Sequence, residues 1–102
     1  MNFKIRKRKA NKIYLAGKVS GLKWEHAYQN FYLAEMANRN RGHIINPMRI
    51  CKANWSWIRC MIVCIYQLIF KCNRIYLQWN WTESRGAKIE VVVAILTRKE
   101  FV

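Results

Sequence analysis

Beyond Ala10 the apolar positions switch repeatedly between short strand-like runs and stripes of helical spacing, and that alternation organises the whole chain. Lys12 to Ala16 (KIYLA) is a β-branched and aromatic run that stops at Gly17, as a buried parallel strand does before a ligand loop, here the loop holding Lys18, Ser20 and Gly21. Trp24, Ala27, Tyr28, Phe31 and Ala34 then recur at helical spacing until Gly42 supplies a stop. His43-Ile44-Ile45 reads as a brief second strand that ends at Asn46-Pro47. Trp57, Met61, Cys64, Ile65, Leu68 and Cys72 share one face of a second helix. Arg74 to Gln78 makes a third strand, and a turn from Trp79 to Glu83 leads into a last helix capped by Ser84 and packed down by Ile89, Val92, Val93 and Leu96. Glu100-Phe101-Val102 completes the pattern as a short fourth strand.

Strands alternating with helices imply an α/β domain with a parallel sheet, right-handed crossovers, strand order 2-1-3-4 and three flanking helices. The loops that follow the strands then gather at one edge, beyond the carboxyl ends where such sheets bind ligands. Gly17 to Gly21, Asn46-Pro47, Trp79 to Ser84 and Glu90 are distant in the chain and are expected to meet there.

Composition narrows this further. With 102 residues, 53% of them hydrophobic, the chain can bury one modest core, so residues 11–102 are expected to form a single domain. Met1 to Ala10 carries Lys4, Arg6, Lys7, Arg8 and Lys9 with too few apolar residues to pack or to make a signal peptide, which predicts a flexible basic arm. The net charge of +14 calls for an anionic partner. Met61 to Phe70 is the most apolar stretch and falls far short of the ~20 residues a membrane span needs. A cytoplasmic chain with no membrane partner is the expectation. The four cysteines form no C-x-x-C pair, and His26 and His43 lie outside their cluster. Buried, reduced thiols without metal are therefore expected, and no cofactor is implied.

The candidate chemistry sits in Ser84-Arg85-Gly86-Ala87-Lys88-Ile89-Glu90. A serine N-cap accepts from an early helical amide, and the amides behind it favour an anion such as phosphate. Helical side chains lean toward the N-terminus, so Glu90 points back over Ala87 and Gly86, which leave room for a sugar to reach its carboxylate.

Together, KIYLAGKVSGL at the first strand, IINP at the second, and W-x-x-SRGAKIE at the third loop and helix resemble the nucleoside 2-deoxyribosyltransferase-like superfamily, nearest to its small phage and bacterial branch. The likeness runs from Lys12 to Val102. It implies a flavodoxin-like (Rossmann-like) three-layer sandwich, and it carries the family's nucleophilic glutamate onto Glu90 and its sugar or phosphate contacts onto Gly17, Ser20 and Ser84. It also implies a homo-oligomer whose neighbours help to complete the pocket. A carboxylate beside an anomeric carbon can displace a nucleobase and form a glycosyl ester, which water or a second base resolves. In that scheme Lys18 and Arg85 hold a nucleotide phosphate, Trp79 or Trp81 stacks on the base, and Asn46 and Gly86 line the pocket.

One departure divides the readings. Relatives use aspartates from the second helix and around the third strand, whereas this chain has no aspartate and places Cys64 and Asn73 nearest those positions. Neither a thiol nor an amide replaces a carboxylate as acid or base. The leading expectation is an N-glycosidase or 2-deoxyribosyltransferase acting on a nucleoside or nucleotide, with Glu90 as nucleophile. A noncatalytic nucleotide-binding protein, phage-encoded like the branch it resembles, is the alternative. A basic nucleic-acid or virion-associated protein, binding nonspecifically through the arm, is the third.

Overall fold

A computed structural model describes residues 11–102. The expected arm, Met1 to Ala10, lies outside the described residues. Four parallel strands, β1 (Lys12–Ala16), β2 (His43–Ile45), β3 (Arg74–Leu77) and β4 (Glu100–Phe101), form one sheet in the order β2-β1-β3-β4. The helices are α1 (Trp24–Asn38), α2 (Pro47–Ile50), α3 (Trp57–Lys71) and α4 (Arg85–Leu96). Three helices were expected. The addition, α2, is a single turn whose N-cap Asn46 accepts from the Met48 amide and is followed by Pro47 at the first helical position.

The period of two along β1 sends its side chains to opposite faces, and each face has its own core. Tyr14 and Ala16 pack with Cys64, Leu68, Ala87 and Ala94, under α3 and α4. Leu15 packs with Ala27, Phe31, Ala34 and Met48, under α1 and α2. Helices thus cover both faces of the sheet. Glu35 clamps α1 to α2 by accepting from Arg49 Nε at 2.8 Å and Nη2 at 3.2 Å, and the Arg49 guanidinium holds its carboxyl below the usual range. Asn73 Oδ1 accepts from the Lys12 amide at 2.8 Å, which places Asn73 at the amino end of the sheet, opposite the carboxyl ends of the strands.

Two expectations are corrected. Ile89, Val92 and Leu96 do not pack α4 down; they are exposed, and the buried face is Gly86, Ala87, Glu90 and Ala94. Small residues let the α4 backbone approach the sheet closely, so the larger aliphatics turn outward. The cysteines are not all thiols either. The chain folds back after α2 and brings Cys51 against the first turn of α3, where it forms a disulfide with Cys60, leaving Cys64 and Cys72 as buried thiols.

Gly17 marks the exit from β1. A Cβ there would stand 2.5 Å from Gln78 Nε2 and 2.7 Å from its Cδ, within the buried side chain that follows β3. Gly17→Ala is therefore expected to destabilise the domain by about 1–3 kcal/mol in urea unfolding. Gln78→Ala in the same chain should recover part of that loss, and additive effects of the two changes would refute the clash.

Candidate functional site

The carboxyl ends of the strands open onto a cavity of about 290 Å³, at the lower end of the range for small-ligand sites. The loop after β1 contributes Gly17, Val19 and Ser20; the segment after β2 contributes Pro47, Cys51 and Lys52; and α4 contributes Ser84, Gly86, Ala87 and Glu90. Trp55, Ser56 and Trp57 enter from the α2–α3 connection, with Cys60, Met61 and Cys64 from α3. Tyr14 and Leu15 of β1, with Trp24 and Phe31 of α1, complete the wall. It is an apolar chamber with few polar groups, as ligand sites commonly are.

Glu90 is held at the wall by local structure. Ser84 Oγ accepts from the Ala87 amide at 3.0 Å and starts α4 here, and the lean of the helix aims Glu90 back toward that start. The side chain is 6% exposed, and the Tyr14 hydroxyl donates to its Oε2 at 2.5 Å. Burial pushes the Glu90 carboxyl up to about 8, against the pull of the Tyr14 hydrogen bond. Burial, and then the Glu90 charge, hold the Tyr14 hydroxyl well above its ordinary range, so it stays a donor. The Cys64 thiol is pushed up to about 12 by burial. Among the described residues, Glu90 is the one carboxylate lining this cavity.

Of the residues singled out from the sequence, Gly17, Ser20, Ser84, Gly86 and Glu90 meet at the cavity. Lys18 does not line it: its amide donates to Asn80 Oδ1 at 3.2 Å and its ammonium lies 3.5 Å from Glu83 Oε1, so it ties two rim loops together. Asn46 is buried between Met48 and Glu35, whose Oε1 accepts from Asn46 Nδ2 at 2.9 Å. Trp79 points away and is 79% exposed. Trp81 packs against the core under α3 and α4, outside the cavity lining. Arg85 stacks on Trp57, its Cζ 4.5 Å from the ring centroid, and reaches the cavity only through that ring.

Sequence reasoning missed Tyr14, Lys52, Trp55 and Trp57. Tyr14 is hidden inside an apolar strand. The Trp-Ser-Trp segment carried a usable signal, because two aromatics flank Ser56, the N-cap of α3, which accepts from the Arg59 amide at 3.1 Å. The family described as Domain of unknown function (DUF4406) matches residues 11–102, the whole of the described structure. The chain belongs to that family. No curated protein matches it. The matched span takes in every element that builds the cavity.

Proposed function

We propose that this protein cleaves or transfers the N-glycosidic bond of a nucleoside or nucleotide, with the Glu90 carboxylate attacking the anomeric carbon. The observation that carries the reading is a single buried carboxylate, oriented by Tyr14, at the ligand edge of a parallel sheet. The attack forms a glycosyl ester as the N-glycosidic bond breaks and the base departs, protonated by solvent water, and water or a second base then releases the sugar. Trp55 and Trp57 take the base-covering role first given to Trp79 and Trp81, and Lys52 replaces Lys18 as the cation facing the chamber. Ser20 and Ser84 line the cavity, and in this reading they contact the sugar or phosphate. A flavodoxin-like relationship for the sheet and a cytoplasmic setting belong to the same reading. Among the described residues no helix is long and apolar enough to cross a membrane.

A noncatalytic nucleotide-binding protein is the second reading, favoured because among the described residues no carboxylate besides Glu90 lines the cavity to pass protons. Association with a second copy is part of either reading, because Ile58, Ile62, Tyr66 and Phe70 form an exposed apolar row along α3. The net charge of +14 supports an added, salt-sensitive affinity for nucleic acid. Incubation with a panel of nucleosides and nucleotides, followed by chromatography, is expected to show free base from at least one. Binding without base release from any of them would establish the second reading instead.

A further inference from the structure

We propose that Cys51, Cys60 and Cys64, once the Cys51–Cys60 bridge is reduced, form a three-thiolate site for a thiophilic cation of the zinc type. The three sulfur atoms lie within 4.8 Å of one another. Cys64 Sγ stands 3.5 Å from Cys51 Sγ and 3.8 Å from Cys60 Sγ. Sulfurs bound tetrahedrally to zinc at about 2.3 Å are separated by about 3.8 Å, so two edges of the triangle already have nearly the required length. The third edge is the bridge itself. Once it is cut, the Cys51 and Cys60 side chains are free to rotate apart from Cα atoms that stand 5.6 Å apart.

The backbone supports this arrangement. Cys60 and Cys64 are one helical turn apart in α3, which fixes their mutual distance. Cys51 closes α2, its amide donating to the Pro47 carbonyl at 2.8 Å, so its position is set by a different element. All three residues line the cavity, which leaves a fourth coordination position for water or a ligand atom from the chamber. The sequence hid the site because one ligand is supplied by the fold and not by a C-x-x-C pair. Cys72, at the far end of α3, is not in the cluster.

The chemistry balances with a dithiol as reductant. It gives two electrons and two protons to the Cys51–Cys60 bond and leaves as its own cyclic disulfide, and the cation then displaces one proton from each of three thiols. The test uses the full chain reduced with dithiothreitol and moved anaerobically into thiol-free buffer, then titrated with Cd2+ or Zn2+. One equivalent should bind, with a sulfur-to-cadmium charge-transfer band and proton release. Alkylation mapped by mass spectrometry should show Cys51, Cys60 and Cys64 protected by metal and Cys72 unaffected by it. Cys64→Ser should weaken binding by more than about 100-fold, beyond the loss expected from an outer-shell partner, while Cys72→Ser should not. If Cys64→Ser fails to fold by circular dichroism, Cys60→Ser and the wild-type protection map decide. Absence of binding to the reduced protein, equal binding to the bridged protein, or protection that omits Cys64 would overturn the proposal. None of these readouts depends on base release.

Discussion

Glu90→Gln is expected to fold, to keep nucleoside or nucleotide affinity within a few fold, and to release base slower than the parent by orders of magnitude. The amide preserves the shape of the side chain and an acceptor for the Tyr14 hydroxyl, while the nucleophilic carboxylate is lost. The pH profile of the parent sharpens the test. With the Glu90 carboxyl at about 8, only a minority is ionised at neutral pH, so base release should climb with pH and level off above about 8. The groups facing Glu90 are Tyr14 on β1 and Cys64 on α3; both are held protonated through this window, which leaves Glu90 as the titrating member. A rate that falls above pH 8 would make Glu90 the proton donor and not the nucleophile. Full activity in Glu90→Gln would remove it from the reaction altogether. Initial rates of base release across the pH range, measured on the disulfide-bonded protein, separate these outcomes.

The same substitution should stabilise the fold at alkaline pH. A carboxyl whose folded value lies near 8, against an ordinary 4.5, binds its proton more tightly when folded. Its contribution is complete below pH 4.5 and is lost as pH rises through about 8. The folded protein therefore carries a destabilising buried charge above that point, on the order of a few kcal/mol. Glu90→Gln removes that penalty, and for a domain of this size each kcal/mol moves the thermal midpoint by roughly 4–8 °C. Scanning calorimetry should show the parent losing stability from pH 5 to 9 while the variant stays nearly flat. The Glu35 carboxyl, held low by Arg49, acts below this window, and the Cys64 and Cys72 thiols, both pushed up to about 12, act above it. Parallel curves for parent and variant would mean that Glu90 is ionised throughout. If Glu90 acts as proposed, this cost is function opposing stability.

Strand positions were readable because β1, β2 and β3 are short runs rich in Ile, Leu and Tyr that begin just after Asn11, Gly42 and Asn73, and the alternation with helices predicts the parallel order found. α4 was placed correctly but turned the wrong way. Hydrophobicity favours Ile89, Val92 and Leu96 as the buried stripe, whereas close packing on a sheet favours Gly86, Ala87 and Ala94, and packing prevailed. Glu90 was legible for that reason, since its small neighbours and the Ser84 cap are local signals. Tyr14, its hydrogen-bond partner, lies 76 residues away and announces nothing but core in its own segment. The α2 turn is too short to show a period, so neither it nor the return of Cys51 to Cys60 could be anticipated.

The sheet margins bear on how copies of this chain can meet. β2 spans three residues and β4 two, and among the described residues each pairs on one side only. So few free amides and carbonyls make a poor template for a further strand, and Glu100 on β4 adds charge at that border. Polymerisation by strand addition is disfavoured at both ends, even though the helices display Phe70, Val92, Ile95 and Leu96 to solvent. Any contact between copies would then fall on side-chain surfaces of the helical layer, where the rotation relating the copies decides between a closed assembly and an open filament.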